Sequence, residues 1–155
     1  MIPANLTAFM VACLGASASF IGLLFVGLSV VMQKGDQKLA NKDRILAESS
    51  YASLVNIFFI SLVGTLPNGG IGYVSLTMAL IGLYSCWRLR KYSHTASLAA
   101  SSIIYIVELC FAAELVTHSN RYVNLGIFQG IIIALFAISL VRAWNLTGVR
   151  ANRDI

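Results

Sequence analysis

SLAASSIIYIVELCFAAELVT, Ser97 to Thr117, decides how this chain folds. It is long enough and apolar enough to cross a bilayer, yet it carries a carboxylate, Glu108, near its middle. A helix turns by about 100° per residue, so Ser97, Ser101, Tyr105, Glu108 and Ala112 fall within one arc of about 80°. The remainder of that helix is lipid-like. A charged carboxylate at the centre of a spanning helix costs about 2.5–3.5 kcal/mol on insertion scales, so such groups face protein or water. Whatever surrounds Glu108 is therefore the first place to look for function.

Outward from that stretch, the whole composition reads the same way. Of 155 residues, 58% are apolar and only 11% are charged, against about 25% charged in soluble domains. So little charge cannot coat a water-facing surface, and the chain is expected to be an all-α polytopic membrane protein forming one transmembrane domain. Five spans are read, at about 8–32, 45–66, 71–87, 97–117 and 123–144. The formal net charge of +5 does not point to nucleic acid, because the basic residues sit between apolar runs rather than on a soluble face.

The first span, AFMVACLGASASFIGLLFVGLSVVM, has no Lys or Arg before it and is too long for a signal-peptide core, so it reads as a retained helix. Asn5 and Thr7 are candidate caps. Gly15, Ser19, Gly22, Val26, Ser29 and Gln33 share one face, suited to close helix packing or to lining a wet path. KGDQKLANKDR, Lys34 to Arg44, is a solvated connection. In the second span Ser49, Ser53, Asn56, Ile60 and Gly64 share a face, and Asn56 lies near the same depth as Glu108. An unpaired amide in hydrocarbon is costly, which makes Glu108 its expected partner. Pro67-Asn68-Gly69-Gly70 then reverses the chain into a hairpin.

The third span carries the small-residue stripe Gly72, Ser75, Ala79, Gly82 and Cys86, and ends in WRLRKYSH, an aromatic anchor followed by base. Arg88, Arg90 and Lys91 are expected to meet anionic lipid at the cytoplasmic face. In the fifth span Gly126 and Gly130 form a GxxxG, extended by Ala134, a motif for close packing. Glu114, near the outer end of the fourth span, and Arg121 beyond it are candidate outer-vestibule charges. Ten of the eleven Lys and Arg residues alternate onto one side of a five-span layout, with Arg121 alone opposite. By the positive-inside rule the N-terminus is outside and the C-terminus cytoplasmic. Trp87 and Trp144 then belong to the inner interface, and Tyr73 and Tyr122 to the outer one.

SFIGLLFVGLSVV (Ser19–Val31), SLVGTLP (Ser61–Pro67) and RAW (Arg142–Trp144) resemble a family of small bacterial five-helix inner-membrane proteins with no assigned activity. The resemblance implies a bacterial inner (plasma) membrane location and the five-span count, and transfers no functional residue. No enzyme is expected, since HExxH and GxSxG are absent and no extramembrane domain is read. Cofactors and metals are not expected either. Cys13, Cys86 and Cys110 lie on three helices without CxxC spacing, and His94 and His118 stand at opposite ends of one span, unsuited to one haem.

Two functions fit. In the first, the chain is a small channel or transporter for ions or protons, with Glu108, Asn56, Ser19, Ser53, Ser101 and Tyr105 along the pathway, in a homo-oligomer that brings the stripes round a shared axis. In the second, it is a non-conducting scaffold or regulatory subunit whose polar stripes are interhelical packing. Stripes that converge on a wet cavity or symmetry axis favour the first, and stripes that interlock dry within one protomer favour the second.

Overall fold

A computed structural model of the chain describes residues 4–33, 41–66, 70–90, 95–117 and 125–151. They form five helices, α1 (Ala4–Gln33), α2 (Asn41–Gly64), α3 (Ile71–Leu89), α4 (Thr95–Thr117) and α5 (Leu125–Ala151). An apolar run leaves its backbone no partners but its own, and the α-helix satisfies all of them internally. Hydroxyls on these helices are handled the same way: Ser29 donates to Phe25 O at 2.8 Å, Ser102 to Leu98 O at 2.9 Å, and Ser139 to Leu135 O at 2.9 Å. A serine bonded back one turn carries no unpaired donor into lipid.

Four of the helices, α1, α2, α4 and α5, are long and apolar enough to cross a membrane. The distribution of side chains is that of a membrane protein. Leu23 and Phe25 are 67% and 70% exposed, whereas Glu108, Asn56, Arg142 and eight serines are buried. Water would reverse that arrangement, and hydrocarbon favours it.

α2 packs against α3 and α5, and α4 packs against the same two helices, so α2 to α5 close a ring of four with α2 and α4 on one diagonal. α1 lies outside the ring, chiefly against α2, with an edge-to-face contact from Phe20 to Phe136 of α5. Only 17% of the α1 span is buried, against 56% of the α2 span, which makes α2 the core helix. Hydrogen bonds cross the diagonal at a constant sequence offset, Ser53 to Tyr105 and Asn56 to Glu108, both 52 residues apart. A constant offset means that α2 and α4 run parallel and in register.

The small-residue stripe of α3 is its buried face, with Ser75, Ala79, Gly82 and Cys86 all turned inward. Here glycine permits contact that nothing larger would. A Cβ at Gly72 would stand 3.0 Å from Val116 Cγ2, and one at Gly82 would overlap the Tyr105 ring. The glycines expected to pack on α1 and α5 behave otherwise. At Gly15, Gly22 and Gly130 an added Cβ would meet nothing within 4 Å, and Gly126 is exposed. α1 turns Leu6, Met10, Cys13 and Ser17 inward instead, Met10 against Gly64, and α5 turns Phe128, Ile132, Leu135, Ser139 and Arg142 inward. The larger side chains bury more apolar area and fill the interior, so the glycine faces are left outside.

Some boundaries also shift. Asn5 and Thr7 lie within α1 rather than capping it, Asn41–Arg44 begins α2 rather than ending a loop, and α5 continues past Trp144 to Ala151. Lys34–Ala40, Pro67–Gly69, Lys91, His94, His118, Arg121 and Tyr122 lie outside the described residues or have undescribed side chains.

Candidate buried polar site

The described face of α4, Ser101, Tyr105, Glu108 and Ala112, and that of α2, Ser49, Ser53, Asn56 and Ile60, are buried against one another across the ring. At the centre stands Glu108, with none of its surface exposed. Asn56 Nδ2 donates to both of its oxygens, at 3.2 Å to Oε1 and 3.0 Å to Oε2, and Ser75 Oγ of α3 donates to Oε1 at 3.3 Å. Three of the four ring helices thus meet at one carboxyl. Asn56 Oδ1 has no partner. An amide presents a donor on one side and an acceptor on the other, so a half-turn of the Asn56 side chain offers Glu108 an acceptor in place of a donor. This partner set serves both the ionised and the protonated carboxyl.

One turn away, Tyr105 and Ser53 share a hydrogen bond of 2.9 Å, and Ser53 donates its single proton to Ser49 O at 3.0 Å. Tyr105 is therefore the donor to Ser53. Tyr105→Phe removes this bond and leaves Ser53 satisfied by Ser49 O. The expected cost is about 0.6 kcal/mol, the average for such bonds in membrane proteins, read as a small fall in the detergent melting temperature.

A further turn along α4, Ser101 accepts a hydrogen bond from Arg142 Nη2 of α5. Arg142 is only 3% exposed, with Cys86 beside its guanidinium and Nε without a partner. In sequence Arg142 counts as one more cytoplasmic charge, and the structure buries its side chain against α4. Its position three residues after Ser139 and seven after Leu135, both buried, is the signal that marks it.

Ser19 stands apart. It is exposed on α1, outside the ring, and donates to Gly15 O at 2.9 Å. Because α1 does not enter the ring, none of its polar face reaches Glu108. Glu114 is exposed and does not join the buried file, and Arg121, the other candidate outer-vestibule charge, lies outside the described residues. Glu48 is exposed too, and forms an ion pair of 3.8 Å with Arg88. That pair borders a cavity of about 70 Å³ between α2 and α3, lined by Glu48, Ser49, Ser85, Arg88 and Leu89. The volume suits a few water molecules.

A bundle that is polar at its centre and apolar outside defines a multi-pass helical membrane protein. Comparison of the chain with protein-family models, with curated proteins and with solved structures gives no match. What the protein does must therefore be argued from its own geometry.

Proposed function

We propose that the protein moves protons or small cations across a bacterial inner membrane, as a small transporter or channel, with Glu108 as the binding group on the pathway. The observation that carries this reading is the Glu108 carboxyl at the centre of the ring, held by an amide able to serve it with or without a proton. An ionisable group kept in a membrane interior is by default a pathway residue. The carboxyl is enclosed by its own chain, so the pathway runs within one protomer rather than through a ring of carboxylates contributed by several copies. A homo-oligomer then rests on the exposed glycine faces of α1 and α5, and its copies act in parallel.

Five spans accord with the parallel register of α2 and α4, since α3 has to return the chain over the same depth between them. At 1.5 Å per residue its 19 residues reach about 28 Å. The exposed Arg88 and Arg90 at the end of α3, beside exposed Trp87, support a cytoplasmic position for that end and an outside N-terminus. They are also where anionic lipid is expected to bind.

The cavity at Glu48 and Arg88 supplies access from that side, because Ser49 on its wall lies one turn from Ser53 and two turns from Asn56. Glu48→Gln is expected to slow proton uptake into liposomes without abolishing it, whereas the parent rate in that variant would remove the cavity from the route. The reading as a whole is tested by reconstituting the parent and Glu108→Gln proteins and following ion- and pH-sensitive dyes under imposed gradients. An absence of flux in the parent protein under every gradient would overturn it.

One observation favours a second reading, a non-conducting scaffold or regulatory subunit. The polar stripes of α2 and α4 interlock inside a single protomer, which is what interhelical packing requires. On that reading Glu108→Gln alters melting temperature alone, and the protein is not an enzyme on either reading.

A further inference from the structure

Glu108 and Arg142 are both buried, and neither has an oppositely charged group among its described hydrogen-bond partners. The partners of Glu108 are Asn56 and Ser75, which are neutral, and Arg142 is held by Ser101 beside the Cys86 thiol, neither of them a carboxylate. The described ion pair of Glu48 with Arg88 is about half exposed and supplies no buried counter-charge. An isolated charge in an apolar interior is costly, and two such charges in one small bundle are expected to be related.

The geometry of α4 relates them. Ser101, which holds the guanidinium, and Glu108 lie seven residues apart on the same face, a separation of about 10 Å along the helix. Tyr105, itself buried, stands between them on that face. Both groups are buried, so opposite charges attract across that interval more strongly than they would at the same distance in solution.

We propose that Arg142 is the counter-charge of Glu108: a spaced ion pair along one face of α4 that keeps the interior of the ring electrically neutral. Arg142 is thus a positioning residue for the carboxyl. It sets the field in which Glu108 sits and does not touch it. The pair also fixes α5 against α4, since the guanidinium crosses from one helix to the other at Ser101. The inference concerns two buried charges and their balance, so it stands whether or not the protein conducts.

The test is a double-mutant cycle read by melting temperature and by the yield of monodisperse protein from membranes, with no transport assay. Arg142→Gln strips the carboxylate of its counter-charge, and Glu108→Gln does the same to the guanidinium, so each is expected to lower the melting temperature. In the double variant, which restores neutrality, the loss is expected to be clearly smaller than the sum of the two. Arg142→Lys keeps the charge while changing its shape, and is expected to lie closer to the parent than Arg142→Gln. Additive losses, or Arg142→Lys as damaging as Arg142→Gln, would overturn the pairing and leave Arg142 as a hydrogen-bond donor to Ser101 alone. Should Arg142→Gln give no folded protein, recovery of folded protein in the double variant supports the pairing, and failure to recover it counts against it.

Discussion

Liposomes carrying the Glu108→Gln protein are expected to pass no more protons or cations than empty ones, while the protein remains folded and monodisperse in detergent. Glutamine keeps the length and planarity of the side chain. Its oxygen accepts from Asn56 Nδ2 as the carboxylate does, and its NH₂ is bonded once the Asn56 amide turns to present Oδ1, which is otherwise without a partner. The fold is therefore kept, at a melting temperature lowered by the loss of the charge. What disappears is the ability to gain and lose a proton or to hold a cation. Glu108→Leu is the contrasting variant, because it abandons Asn56 and Ser75 in a dry interior. A buried polar group left without its partner costs about 1–3 kcal/mol. Loss of flux in the glutamine variant with its fold intact separates a pathway residue from interhelical glue. Undiminished flux would remove Glu108 from the pathway.

Gly82→Ala is expected to damage the protein more than any other single-methyl addition on α3. Alanine gains about 1 kcal/mol over glycine in a helix interior, so by propensity alone this change would stabilise. Sterics decide otherwise, since the new methyl would overlap the ring of Tyr105, which is itself only 2% exposed and has nowhere to retreat. Overpacking of a filled core typically costs about 1–3 kcal/mol. A displaced ring also surrenders its bond to Ser53. A melting temperature lower than the parent's is expected, and the same substitution at Gly130, where the methyl meets open space, provides the control. A stabilised Gly82→Ala protein would mean that α3 and α4 are packed less closely than described.

Much of the interior was written in the spacing of α2 and α4. Ser49, Ser53, Asn56 and Ile60 follow one another at intervals of four, three and four, as do Ser101, Tyr105, Glu108 and Ala112. Two helices that repeat one spacing with one polarity fit face to face, which is why an Asn56 to Glu108 contact was readable before any coordinates. On α1 and α5 the same reasoning failed. Small residues at Gly15, Ser19, Gly22, Gly126 and Gly130 permit contact but do not compel it, because a glycine face buries little area. Leu6, Met10, Phe128 and Leu135 bury more and took the inward direction. Periodicity is also blind to which helices make the ring, and so Ser19 was grouped with a site that α1 never reaches. The burial of Arg142 is not legible in the sequence for a different reason. A basic residue beside Trp144 at the end of an apolar run matches an interfacial anchor, and only the packing of α5 against α4 turns it inward.

The 52 residues between Asn56 and Glu108 also set a timetable for biosynthesis. At about 5–20 residues per second, the amide leaves the ribosome some seconds before the carboxyl that will hold it. During that interval the early helices lie in the bilayer with a polar group still waiting for its partner, and Ser75 reaches the membrane before Glu108 does. Quality control that samples nascent membrane proteins would meet this chain at its most vulnerable in those seconds, when a sister polypeptide bearing the same exposed amide could capture it first.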